Sequence, residues 1–425
     1  MRKKVAFLLT VVLLSPPLLA QDDPFIDLLN NRSFDREALI RQFSPSVTVT
    51  RPVVPVNPDT PTPENPASTT PDALPAELLF RPLSPQLPEG ALAPLETLAL
   101  VLPLNNSGNT AAAAEAFQQG CVDGLGTVGT ALRVDTYAHD GSPQQAIVAY
   151  QNAVTDGASF IIGPMQKNNV RQLLQLYPQA PVKTLLLQPL RRNDTSSYYV
   201  LTIDIGEEAA QLARTIKQQN YRALVVLNKS TLSQRQKEEF VRTWNDEVNA
   251  PLLEYFYIYD NEKDWQRLFD KLKDKLETAS EDKKSAAALP PLAIFAAGNG
   301  NFIRRTRNFV PQGYPLYASS VFFSSKSDAQ FLDNLRVIEM PWFVDANADH
   351  IRNFNNLLIR TRPALQQRFY ALGADACRAA QRSPQWFEGW EMLGASGTLE
   401  LTAHHLKRRG ILSQYEAGYL TPFSQ

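Results

Sequence analysis

Cysteine and histidine are scarce in this 425-residue chain, which holds two of the first and four of the second. With so few soft or imidazole ligands, no Cys/His spacing reads as a metal centre, and no Cys-x-x-Cys redox pair occurs. The histidines are His139, His350, His404 and His405; the adjacent pair points to different faces in helix or strand, so it is no i,i+4 metal pair. A Gly-x-Ser-x-Gly elbow and a P-loop are also missing. These absences point away from an enzyme, a metal site or a resident cofactor. Charge of one sign is lacking too: 42 basic against 43 acidic residues leave a net charge of -1, which gives nucleic acid or an anionic membrane no field to follow.

Long hydrophobic runs are confined to the amino terminus. Arg2-Lys-Lys4 precedes the apolar run Val5–Leu14, followed by Ser15-Pro-Pro17 and Leu18-Leu-Ala20 before Gln21. This is the layout of a secretory signal peptide cleaved after Ala20. Ten helical residues extend only about 15 Å, roughly half a bilayer core, so export is expected and a spanning anchor is not. Residues 21–94 read as a Pro-rich disordered linker, and the modest amphipathic stretch at its start (Phe25–Leu29, Ala38–Ile40) has two readings, a frayed terminus or a short docking helix. Thirteen of the 31 prolines fall between Pro45 and Pro94, where neither backbone ladders nor a core can form.

What is present is a repeated unit: a short apolar run, a turn, then an amphipathic helix. The runs are Leu98–Leu102, Leu132–Tyr137, Phe160–Ile162, Thr184–Leu187, Ala223–Leu227, Glu254–Ile258 and Leu292–Phe295. Parallel neighbours need a crossover helix between them, so the rhythm predicts an α/β, doubly wound fold with parallel sheets. Ligands then belong outside the carboxyl ends of the strands. Past Val344 the spacing predicts a mostly polar helical tract from Asp349 to Arg382, broken at Pro363, and a tail hairpin pairing Gly397–Leu401 with Gly410–Tyr419.

Gly124-Leu-Gly-Thr-Val-Gly129 matches the dinucleotide fingerprint, but it closes a helix and precedes a strand, the reverse of what pyrophosphate binding needs. Those glycines read as cap and turn residues. The turn after the first run supplies cleft candidates: Asn105, Ser107, Asn109 and Thr110, small polar residues able to cap the next helix or to meet a carboxylate. Gly163, Asn228, Asn299 and Ser319 occupy the same strand ends. Trp244, Trp265 and Phe269 have core spacing, and the Arg304/Arg305/Arg307 and Lys407-Arg-Arg409 groups read as solvated faces. Cys121 and Cys377 each fall on a predicted helix, 111–125 and 366–382. Two readings stay open, a disulfide in an oxidising compartment or two buried thiols.

Five segments together resemble the penicillin-binding-protein activator family of the LpoA type. They are Leu102-Pro-Leu-Asn105, Asp156-Gly-Ala-Ser-Phe-Ile-Ile-Gly-Pro164, Tyr314-Pro-Leu-Tyr-Ala-Ser-Ser320, Val337-Ile-Glu-Met-Pro-Trp342 and Phe369-Tyr-Ala-Leu-Gly-Ala-Asp-Ala376. The resemblance covers residues 95–425 and implies two Rossmann-like lobes joined by three crossings, the type I periplasmic-binding-protein-like fold. It further implies an exported regulator of peptidoglycan synthesis that contacts a bifunctional penicillin-binding protein, at the periplasmic face of the outer membrane. Two departures are expected: Ala20-Gln21 stands where the family carries a lipobox cysteine, and the Pro-rich spacer stands where it carries helical repeats. The alternative is a periplasmic solute-binding protein closing on a small amino acid or amide ligand.

Overall fold

The computed structural model describes residues 80–82, 95–126, 132–189, 197–246, 253–258, 263–268, 270–271, 274, 291–310, 313–320, 332–345, 348–352 and 357–423. The expected signal peptide, most of the spacer, Gly129 and Phe269 lie outside these residues.

Each predicted apolar run lies in a strand. In the first sheet β2 (Thr97–Leu102), β3 (Arg133–Ala138), β4 (Phe160–Ile162), β5 (Thr184–Leu186) and β6 (Tyr199–Val200) run parallel in the order β6-β5-β4-β2-β3. In the second, β7 (Arg222–Leu227), β8 (Leu253–Tyr257), β9 (Leu292–Ala297), β10 (Leu316–Ala318) and β11 (Leu335–Glu339) run parallel in the order β11-β10-β9-β7-β8. Central strands of such sheets are covered on both faces, which is why Leu98–Leu102 is an unbroken apolar run and wholly buried. Alternation still sorts the faces of β7: Leu224 and Val226 join the core on one side with Trp265 and Phe302, while Ala223, Val225 and Leu227 join Phe240 and Trp244 on the other.

Covering helices are α1 (Gly108–Gly126) and α2 (Pro143–Thr155), α3 (Lys167–Leu176), α4 (Ile205–Gln218), α5 (Thr231–Asn245), α6 (Gly300–Phe309) and α7 (Ala364–Gln381). Ser142, Asp204, Ser230 and Asn299 cap their helices through side-chain oxygens, as short polar residues at these starts do.

Four expectations need correction. The tract ending at Arg382 is not mostly polar in its setting, because α7 is buried from Arg368 to Ala380. Its charged residues turned the sequence reading outward, whereas Arg368, Asp375 and Arg378 are buried partners of other groups. The tail does not form the predicted hairpin. β13 (Thr398–Thr402) pairs antiparallel with β14 (His405–Arg409) in the first sheet, and β15 (Ile411–Glu416) pairs with β11 and β16 (Tyr419–Pro422) in the second. The turns use Ala403 (φ 52°) and Ala417 (φ 50°), a left-handed conformation that an alanine does not advertise. Gly410 is the point of transfer between sheets, where an added Cβ would lie 2.8 Å from the Glu339 carbonyl oxygen. Within the stretch expected as spacer, β1 (Phe80–Pro82) pairs antiparallel with β12 (Trp390–Leu393) at the end of the first sheet, the edge position that tolerates proline.

Helices α1 and α7 lie against each other over small residues. A Cβ on Gly120 would sit 2.0 Å from the Tyr370 carbonyl oxygen, one on Gly373 2.0 Å from that of Phe117, and one on Gly124 2.8 Å from Ala374 Cα. Gly124 is therefore a packing residue of α1 and not a cap, a correction to the reading of its motif. Cys121 and Cys377 join the same two helices in a disulfide with Cα atoms 5.2 Å apart. The bridge closes a sequence separation of 256 residues, so it restricts the unfolded chain strongly. Replacing both cysteines by alanine is expected to lower unfolding free energy by about 2–4 kcal/mol, read from urea transitions with and without reductant.

Candidate functional site

Functional geometry concentrates where the chain passes between the sheets: at residues 201–204, through Met340–Pro363, and at Gly410. Each crossing is pinned by buried polar groups. At the first, the Asp204 carboxylate accepts from the Gly206 N–H and pairs with Arg235 at 2.6 Å. Next to it Glu208 accepts from the Ser320 N–H (2.8 Å) and the Arg408 guanidinium (2.6 Å), with both charges buried. Arg408 also donates to the Ser396 carbonyl, and the Ser396 N–H and hydroxyl both donate to Asp375 at 2.6 Å. One chain of contacts thus runs from the second lobe through β14 to α7.

At the second crossing Arg368 forks onto both oxygens of Glu339, beneath the Phe343 ring, and Glu339 also accepts from the Met340 N–H. Trp342 lies under the Arg360 guanidinium, its ring centroid 3.8 Å away, and Tyr370 from the other motif segment donates to Asp123 at 2.6 Å. Gln211 clamps the third crossing by donating to the Gly410 carbonyl and accepting from its N–H. A paired, hydrogen-bonded buried ion is costly to break one-sidedly, so each pair ties its crossing to the elements packed against it.

Beside the first crossing lies a cavity of about 420 Å³, lined from the first lobe by Pro189, Val200, Thr202, His405 and Leu406 and from the second by Asp204, Glu207, Ala210, Arg235, Glu239 and Arg242. Arg235 is engaged by Asp204, and Arg242 by Glu239 and Asp246. Burial, and then the neighbouring Asp204 charge, push the Glu207 carboxyl up to about 8. Among the described residues no cluster of His, Cys, Asp or Glu could hold a metal ion, and no helix is long and apolar enough to cross a membrane.

The residues expected to line a cleft lie elsewhere. Asn105 and Ser107 are exposed at the turn before α1, Asn109 is exposed and Thr110 half-buried in its first turn, and none of them lines this cavity. Gly163 is buried at φ 112°, where a Cβ would meet the Val101 carbonyl at 2.3 Å. Asn228 accepts from the Ser230 N–H and Ser233 hydroxyl, Asn299 caps α6, and Ser319 faces the Ile205 carbonyl at 3.5 Å. The sequence reading missed Glu207, Glu208, Arg235, Glu339, Arg368 and Arg408. It set Arg408 among solvated basic residues, and the alternation of β14, with Leu406 and Arg408 inward, was the signal available.

His139, at the end of β3, is 2% exposed; its Nδ1 accepts from the Gly141 N–H, and burial holds it down at about 4. Burial lowers His350 and His405 as well. Below the ordinary histidine range the unfolded chain binds protons that the folded one refuses, so stability must fall with pH between about 6.5 and 4. The His139 contribution between pH 7 and 5 is expected to be about 2 kcal/mol, measured as a shift in urea midpoint that His139→Gln flattens.

Residues 63–418 match the family model described as "LppC putative lipoprotein". The chain belongs to the LppC lipoprotein family. Over 322 residues it is 24% identical to the penicillin-binding protein activator LpoA of Escherichia coli strain K12, an alignment covering 67% of this chain and 47% of that protein. This LppC-family chain thus spans about half the length of that relative. Haemophilus influenzae LpoA superimposes with a TM-score of 0.62 at 18% identity, over 79% of this chain and 60% of the other. The C-domain of the same protein, described as a regulator of PBP1A, gives 0.58 at 19% identity over 77% of this chain and 100% of the domain. The LppC fold here is the two-lobed α/β arrangement of that C-domain.

Proposed function

We propose that this protein is a non-enzymatic, exported regulator of peptidoglycan synthesis that binds and activates a bifunctional penicillin-binding protein. The observation that carries this reading is membership of the LppC family along 63–418, together with a relative named for that activity. The pinned crossings support it over the solute trap. A trap must swing its lobes about the crossings, while a docking platform gains from presenting a fixed surface. Activation then follows if the surface binds the active form of the synthase more tightly than the inactive one. In this reading residues 1–20 direct export, and the Pro-rich stretch ahead of β1 serves as the spacer between that segment and the folded lobes.

The test uses the mature chain and a purified bifunctional synthase from the same cell. Glycan polymerisation and cross-linking are followed with increasing amounts of the chain, and association is measured by biolayer interferometry. Saturable binding with a raised rate is expected. A synthase that neither binds nor responds ends the reading.

A further inference from the structure

We propose that the cavity beside the first crossing is a binding site for a small ligand bearing a primary ammonium group, held by the Glu207 carboxylate. This goes beyond synthase docking and does not depend on it.

The argument begins with charge pairing on the cavity wall. Three carboxylates and two guanidiniums line it, and Arg235 is committed to Asp204 while Arg242 is committed to Glu239 and Asp246. On β14 Arg408 is committed to Glu208 and the Ser396 carbonyl, and the exposed Lys407 acts on Glu207 through space without an ion pair to it. Glu207 is left facing the space beside Ala210, with Val200, Leu406 and Pro189 forming an apolar lining. A carboxylate in such surroundings is satisfied best by a charged donor with several N–H bonds, which an ammonium supplies. A bare metal ion fits poorly, since the described residues hold no ligand cluster. The volume, about 420 Å³, suits a small molecule whose carbon chain lies on the apolar wall.

Titration gives the site a signature. With its carboxyl raised to about 8, Glu207 is mostly protonated at neutral pH. The titratable groups that share the cavity wall with it are Asp204 on the crossing, Arg235, Glu239 and Arg242 on α5, and His405 on β14, while Arg408 and Lys407 act on it through space. An arriving ammonium favours the ionised carboxyl, so binding expels a proton and tightens as pH rises toward 8.

Isothermal titration of the full chain with 1,5-diaminopentane, in two buffers of different ionisation enthalpy, reads both affinity and proton release. Glutarate, of equal length and opposite charge, is the control. The expected result is one saturable site, release of a proton at neutral pH, no glutarate binding, and at least a tenfold loss of affinity in Glu207→Gln. Ala210→Leu, which fills the cavity and leaves the carboxyl in place, should lose binding likewise and serves if Glu207→Gln does not fold. Absence of saturable heat with the diamine, or affinity unchanged in a folded variant, would overturn the site.

Discussion

The double variant Gly120→Ala/Gly373→Ala is expected to lose about 4–6 kcal/mol and to leave the first lobe unfolded at physiological temperature. Each new methyl would have to occupy space 2.0 Å from a backbone oxygen of the facing helix. Backbone cannot rotate away as a flexible side chain can, so α1 and α7 must separate, and their disulfide at Cys121–Cys377 resists that separation. Helix propensity acts the other way, favouring alanine by about 1 kcal/mol per site, and is too small to win. The matched control is Gly126→Ala at the end of α1, where nothing lies within 4 Å of the added carbon and stability should hold. Circular dichroism melts and urea transitions decide it. A double variant as stable as the parent would mean the helices do not meet at these glycines.

Arg368→Met should cost about 3–5 kcal/mol, because it strands the Glu339 charge in a site 3% exposed. Adding Glu339→Leu should recover most of that loss, since a buried ion pair contributes little net energy over a well-packed apolar pair. Equilibrium unfolding of the single and double variants gives the coupling energy directly. If the pair serves to fix the second crossing, the double variant should be stable yet weaker in synthase binding. A double-variant loss equal to the sum of the two single-variant losses would show that the groups do not interact.

The α/β layering was legible because parallel strands buried on both faces leave continuous apolar runs, as Leu98–Leu102 and Ala223–Leu227 do. The helices carrying Cys121 and Cys377 were legible in the same way, though not their pairing. The family motifs were recognisable as strings without disclosing their work. In Tyr370–Asp375 the tyrosine holds Asp123, the glycine admits the Phe117 backbone, and the aspartate receives the Ala395 and Ser396 N–H groups. Each of those partners is distant in the chain.

The candidate site divides along the same line. Local chemistry could flag Asn299 and Ser230 because a helix cap is made within three residues of itself. Glu208 and Arg408 are 200 residues apart, and no local pattern distinguishes a buried paired arginine from a solvated one. Periodicity and composition therefore dictated the layers, the helix starts and the scarcity of catalytic groups. Which charges meet, where the chain changes sheets, and that a cavity opens beside Glu207 were settled by packing at long range, because burial and pairing belong to the neighbours a residue acquires on folding.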